Sequence, residues 1–249
     1  EVEVTVRRMA SLHQRELFIM QYAVKSLNFS GRVYLVSREE GEVTNFADPG
    51  DPRVAGEALQ HLQVEEVRPM AAGGLIRSRT LASGLELAVA VGYKPPAAFT
   101  LRMDAQPRAL EAAMEGSLWP GQSLTLTKHC VFADSRRHAD PAQAALDILK
   151  EAAARPVMHY EARQKELLDI FWRHSRVVVA GDDALQRSLD FSLYSLYCSV
   201  GRDAVSSLAA KGLSGEGYEG HYFWDTEIYV FPFFLMTDPA LARGLLDYR

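Results

Sequence analysis

The sequence predicts a mostly antiparallel β-sandwich followed by α-helices, and three observations carry that reading. Short runs in which apolar and polar residues alternate with period two fill the chain from Glu1 to about Val131. Turn residues break these runs at short intervals, as in sandwiches of many short strands. After Asp140 the apolar period changes to the three- and four-residue steps of amphipathic helices.

The strands follow in order. Val2, Val4 and Val6 alternate with polar residues, and residues 17–27 form a longer, partly alternating run. Residues 31–36, 75–81, 85–91 and 123–128 alternate again. Alternation of this kind turns one face to a core and the other to water. Turns are expected at Asp48-Pro49-Gly50-Asp51-Pro52, Gly73-Gly74, Lys94-Pro95-Pro96 and Trp119-Pro120-Gly121.

Asp140-Pro141 then opens a helix, with an N-cap acid and proline at the first helical position. The alanine-rich residues 141–154 carry it, and Arg155-Pro156 stops it. A second helical pattern over residues 158–174 holds Leu167, Leu168, Phe171 and Trp172. Both read as linker helices. A third helix is capped by Asp182 or Asp183, carries Leu185, Leu189, Leu193, Leu196, Tyr197 and Val200 on one face, and ends at Gly201. A long loop reaches Gly220. A fourth helix over residues 224–235 is expected to kink near Pro232, and Asp238-Pro239 opens a fifth. The organisation expected is a sandwich over residues 1–139, a helical linker over 140–181 and a further helical region over 182–249.

The whole-chain numbers fit a globular protein of 249 residues, 48% apolar and 24% charged. A net charge of −5 gives no reason to expect nucleic acid or an anionic membrane surface, which select clustered Lys and Arg. No apolar run reaches the roughly 18 residues a membrane helix needs, and no secretory signal opens the chain. Cys130 and Cys198 allow one disulfide, but two free thiols in a reducing cytosol is the preferred reading. The histidines show no metal-ligand spacing, and Asn28-Phe29-Ser30 is a sequon short enough to arise by chance.

The chemistry concentrates in residues 212–227, Gly-Leu-Ser-Gly-Glu-Gly-Tyr-Glu-Gly-His-Tyr-Phe-Trp-Asp-Thr-Glu. Glycines let a backbone bend and approach a ligand closely. Trp and Tyr supply flat apolar faces, and an acid beside them accepts hydrogen bonds from hydroxyls. That combination suits a sugar ring. The competing reading is a buried aromatic helix, since Ile228, Tyr229, Val230, Phe231, Phe233, Phe234 and Leu235 follow. Gly215, Gly217 and Gly220 match a dinucleotide-binding spacing, but the segment before them reads as a helix where that motif needs a strand. Asp225 and Glu227 do not form an acid–base pair, because residues two apart on a helix point about 200° apart.

The stretch KGLSGEGYEGHYFWDTEIYVFPFF, residues 211–234, closely resembles the entry to the catalytic domain of glycoside hydrolase family 65. The segments Thr237-Asp238-Pro239-Ala240-Leu241-Ala242-Arg243 and Leu245-Leu246-Asp247-Tyr248-Arg249 resemble the helix that follows. The family contains maltose, trehalose and kojibiose phosphorylases and some trehalases. The resemblance implies an N-terminal β-sandwich, a helical linker and an (α/α)6 barrel, with Phe29-Ser30-Gly31 in the later half of the sandwich and only the first barrel helices in this chain. It implies that Trp224 and Asp225 contact the non-reducing glucosyl ring, with His221, Tyr222 and Glu227 as neighbouring binding candidates.

The resemblance places no catalytic residue in this chain. The general-acid glutamate and the phosphate-holding residues are expected beyond Arg249, so the chain alone is expected to be inactive. An inverting cleavage of an α-glucosidic disaccharide is implied, with inorganic phosphate as co-substrate and no metal or organic cofactor. Two alternatives stay open: a hydrolase of the same family, and a non-catalytic carbohydrate-binding or assembly module. The expected partners are a disaccharide and either further copies of the chain or a companion chain. The expected compartment is the cytoplasm.

Overall fold

A computed structural model describes residues 1–213 and 217–249. Ser214, Gly215 and Glu216 of the glycine-rich stretch lie outside the described residues. The strands are β1 (Val2–Ala10), β2 (Leu17–Ser26), β3 (Gly31–Glu40), β4 (Leu62–Met70), β5 (Gly73–Thr80), β6 (Glu86–Lys94), β7 (Thr100–Gln106), β8 (Ala109–Leu118) and β9 (Ser123–Asp134). They form a six-stranded sheet, β1-β2-β9-β6-β5-β4, and a three-stranded sheet, β3-β8-β7. Every pairing is antiparallel.

Alternation along β2 shows how the larger sheet is covered on both faces. Val24, with Phe18 and Tyr22, packs in the core shared with the smaller sheet, among Val91, Tyr93, Leu110, Met114, Leu118, Leu124 and Leu126. Leu17 and Ile19 point the other way, into a second core with Leu75, Ala88, Ala90, Val131 and Ala133. Helix α1 (Pro141–Ala154) closes that second core with Ala145, Leu149 and Ala152. Asp140 caps α1, its side chain accepting the Gln143 N–H at 3.0 Å, which typically stabilises a helix by about 1 kcal/mol.

Two-sided burial explains what the alternation hides. A strand buried on both faces reads as a continuous apolar run, so β9 continues past Lys128 through Cys130, Val131, Phe132 and Ala133 to Asp134. Strands β4, β7 and β8 lie outside the alternating runs. The sequence of β8, ALEAAMEGSL, is made of helix formers, and pairing with β3 and β7 overrides that propensity. Gly73-Gly74 is not a turn, because the turn is Ala71-Ala72 and the two glycines open β5. Packing demands them there: a Cβ on Gly74 would lie 2.5 Å from the Leu110 side chain, and one on Gly73 would lie 2.0 Å from the Val91 carbonyl oxygen.

The chain divides into two compact units, residues 1–43 with 60–161, and residues 44–59 with 162–249. Helix α2 is Val157–Ser175. In the second unit its Phe171 stacks on Tyr197 of helix α3 (Asp183–Ser199), centroids 4.1 Å apart and 17° from parallel. The Arg202 guanidinium lies over Tyr197 at 4.3 Å. Asp182, rather than Asp183, caps α3 by accepting from Ala184 and Leu185. The turn Thr226–Val230, just before Pro232, is π-helical and leads into helix α4 (Phe231–Thr237). There Phe231 N–H donates to the Thr226 carbonyl, five residues back. Pro232 lacks an N–H and its ring crowds the carbonyl four residues back, so the turn before it widens. Asp238 caps helix α5 (Pro239–Tyr248). Among the described residues no helix is long and apolar enough to cross a membrane, and Cys130 and Cys198 are both free thiols.

Candidate functional site

The aromatic stretch begins on a strained turn. Tyr218 (φ 58°), Glu219 (φ 51°) and Gly220 (φ 73°) lie in succession in the left-handed region. A non-glycine residue costs roughly 1–2 kcal/mol there, so its surroundings must hold it. Tyr218 N–H donates to the Arg53 carbonyl at 2.5 Å, and the Tyr218 ring meets Phe223 edge-on at 5.5 Å. Arg53 is itself fixed by both carboxylate oxygens of Asp51, at 2.8 Å each. Those hydrogen bonds bring the Asp51 carboxyl down to about 2. His221 folds back on the same turn, its backbone N–H donating to the Tyr218 carbonyl and its Nδ1 lying 2.8 Å from that oxygen.

Beyond the turn the chain enters the helix at Asp225, and three contacts from Arg249 secure that entry. Arg249 Nε and Nη2 donate to the two oxygens of Glu227 at 2.5 and 3.0 Å. Nη2 also donates to the Phe223 carbonyl at 3.0 Å. The guanidinium carbon stands 5.5 Å from the centre of the Trp224 ring. Thr226 is buried, its hydroxyl directed at the Leu208 carbonyl at 3.4 Å. The Tyr222 ring is half-buried against the edge of Tyr248, 5.1 Å away.

The five residues singled out from the sequence therefore have different situations. Trp224 is 72% exposed, with Arg249 over its ring. The Asp225 carboxylate is exposed and has no hydrogen-bond or ion-pair partner among the described residues. These two can meet a ligand directly, the ring by stacking and the carboxylate by accepting hydroxyls. Glu227 is turned away to Arg249, whose hydrogen bond holds its carboxyl below the usual range. An acid held ionised in this way is a poor proton donor. His221 is exposed but tied to the turn, and Tyr222 packs under it against α5. Sequence reasoning missed Arg249 and the Asp51–Arg53 support. Both lie outside the aromatic stretch, and no spacing rule links residue 53 to residue 218.

Residues 1–171 match the family model for the "Glycosyl hydrolase family 65, N-terminal domain", and residues 190–249 match that for the "Glycosyl hydrolase family 65 central catalytic domain". Along its whole length the chain is 38% identical to alpha,alpha-trehalose phosphorylase of Geobacillus stearothermophilus, covering 32% of that protein. It is 32% identical to kojibiose phosphorylase of Escherichia coli over 99% of this chain and 32% of the relative. A solved structure of a putative kojibiose phosphorylase from human microbiome superposes on all of this chain and 32% of its own, with a TM-score of 0.85 at 18% identity. The fold is thus shared, sandwich first and helices after. The chain spans about a third of the length of the curated relatives it matches.

Proposed function

The chain belongs to glycosyl hydrolase family 65, and on that premise we propose that it is the sandwich and the opening catalytic helices of an inverting disaccharide phosphorylase acting on an α-glucosidic bond. The observation that carries the reading is the exposed Trp224–Asp225 pair, fixed on a supported turn inside the stretch that matches the central catalytic domain. Trp224 supplies the stacking face for the non-reducing glucosyl ring. Asp225 accepts hydrogen bonds from its hydroxyls. His221 and Tyr222 shape the turn beneath, and Glu227 acts through Arg249.

In the reaction, the glycosidic C–O bond breaks as the leaving oxygen receives a proton from a glutamate supplied by the rest of the catalytic domain. A phosphate oxygen attacks the anomeric carbon from the opposite face, which inverts it. This chain's part is to hold the ring so that its anomeric carbon presents that face. Phosphate enters as co-substrate, and no metal or organic cofactor is required. The product retains the bond energy as a sugar phosphate, which suits a cytoplasmic enzyme.

The exposed Phe191, Ile228, Tyr229 and Met236 in the second unit fit the same reading. Apolar side chains left in water ordinarily have a partner surface. Further parts of a catalytic domain, or another copy of the chain, would cover them.

Relatives named for trehalose, kojibiose and nigerose phosphorolysis set the substrates to try, with trehalose first. The test is to incubate the full-length protein with trehalose, kojibiose, nigerose and maltose, with and without phosphate. Phosphate-dependent release of β-glucose 1-phosphate supports the proposal. Glucose formed equally well without phosphate makes the protein a hydrolase, and binding without turnover makes it a carbohydrate-binding module.

A further inference from the structure

On the α1 side of the larger sheet, a depression of about 510 Å³ lies between α1, the start of β5, the end of β6 and the middle of β9. A cross-strand row creates it. Gly73 of β5 stands opposite Gly92 of β6, and Gly92 stands opposite His129 of β9. Two adjacent glycines remove the side chains that would fill this part of the sheet. A Cβ on Gly92 would already lie 3.0 Å from Leu149 of α1.

The chemistry around the depression is one-sided. Lys94 and Lys150 line it with Met70, Val91 and Leu149, and no acidic residue does. Neither lysine side chain has a hydrogen-bond or ion-pair partner among the described residues. His129 also lines it and is only 4% exposed, and its Nε2 is buried with no hydrogen-bond partner. Buried polar atoms are nearly always partnered, so an orphaned ring nitrogen beside a cavity marks a place for a ligand atom. Burial, and then the Lys94 charge, hold the His129 imidazolium form down, so the neutral ring offers one N–H and one lone pair.

We propose that this depression binds a small metabolite bearing an oxyanion. The anionic group sits between Lys94 and Lys150, an oxygen meets the His129 ring, and the carbon skeleton lies over the glycine row against Leu149. The site shares no residue with the Trp224 turn and is independent of the phosphorylase reading. A ligand here would pin α1 to the sheet.

The experiment uses the full-length protein labelled with 15N-histidine, the His129 ring signal being assigned with His129→Gln. Inorganic phosphate, a hexose phosphate and a short aliphatic carboxylate are titrated separately at fixed ionic strength, with chloride as control. The expected result is a saturable shift of the His129 signal with at least one oxyanion and none with chloride. In Lys94→Ala/Lys150→Ala, two exposed substitutions that leave the cores intact, binding should weaken about tenfold or more. The order among the three probes identifies whether phosphate or carboxylate is preferred. The proposal is overturned by an unmoved His129 signal at millimolar oxyanion. It is also overturned by a shift that chloride reproduces, or by one the lysine variant leaves unchanged. Disaccharide turnover enters none of these readouts, so this site and the phosphorylase reading fail separately.

Discussion

The guanidinium of Arg249 grips both carboxylate oxygens of Glu227 while standing against the ring of Trp224. One side chain thereby ties α5 to the first turn of the preceding helix and sets where the exposed indole lies. In the full-length protein, Arg249→Lys keeps the charge but loses the two-pronged geometry. We expect kcat/KM on the preferred disaccharide to fall ten- to a hundredfold, the scale of a misplaced binding group. Glu227→Ala should give a similar fall, and the double variant little more than either single one. Additive losses in that cycle would show that the two residues act separately.

The same pair sets an acid limit. The Arg249 hydrogen bond holds the folded Glu227 carboxyl below its usual range. Its contribution is therefore complete above the unfolded value near 4.3 and is lost as pH falls through the lower folded value. In Arg249→Ala the acid transition of tryptophan fluorescence should begin at higher pH than in the parent protein. A transition that stays in place would mean the pair contributes nothing to holding this turn.

Trp224 and Asp225 are exposed, so removing them should cost activity without costing the fold. Trp224→Ala forfeits a stacking face, and Asp225→Ala forfeits an acceptor, each worth on the order of 1–3 kcal/mol of substrate interaction. The expected signature is a kcat/KM reduced at least tenfold with an unchanged melting temperature. Near-normal turnover by either variant removes that residue from the site.

Much of this was legible in sequence, for identifiable reasons. Half-buried strands such as β3 alternate, and caps such as Asp140, Asp182 and Asp238 announce their helices. Strand β8 was hidden because its helix-forming residues are held extended by neighbours distant in sequence. Trp224 and Asp225 were singled out through the family resemblance of their stretch, and both are exposed. What the sequence could not show is direction: Glu227 stood as a neighbouring binding candidate until Arg249 was seen to occupy it. The Arg53 carbonyl under Tyr218 was equally hidden, because a backbone group leaves no mark in the sequence.

Lys128 of β9 crosses the sandwich to Glu39 of β3 and donates to Ser37 Oγ at 3.0 Å, while Tyr93 OH lies within hydrogen-bond distance of both Ser37 Oγ and Glu39 Oε1, 3.1 Å from each. Lys128 is 7% exposed, so this is a largely buried charge pair whose ends are satisfied by hydrogen bonds. Lys128→Met leaves the Glu39 carboxylate without its cation and should destabilise the sandwich by roughly 3 kcal/mol, the low end for breaking a buried pair. Adding Glu39→Leu should recover most of that loss. Denaturant unfolding followed by hydrogen exchange at β9 provides the measurement. A single variant as stable as the parent would show that water already reaches the pair.

The Cys130 thiol supplies a test from the alkaline side. It is buried in the core between the sheets, and burial pushes it up to about 11. In the unfolded chain a thiol titrates near 8.5. The unfolded state therefore releases its proton first as pH rises, and the folded state is penalised for keeping it. By linkage, sandwich stability falls progressively between about pH 8.5 and 11, by roughly 3–3.5 kcal/mol from this group alone. Burial also raises the neighbouring Tyr93 phenol, which adds a further loss above pH 10. Alkylation followed by mass spectrometry reads the effect directly, because only an opened sandwich exposes Cys130. At neutral pH the half-buried Cys198 should react first, and Cys130 only with denaturant. Cys130 labelling should then accelerate from pH 8.5 to 10 by more than the growing thiolate fraction of an exposed thiol explains. In Cys130→Ala, denaturant stability should be nearly flat over the same range. If that variant loses stability as steeply as the parent, the alkaline weakness lies elsewhere, and Tyr93→Phe is the next substitution to make.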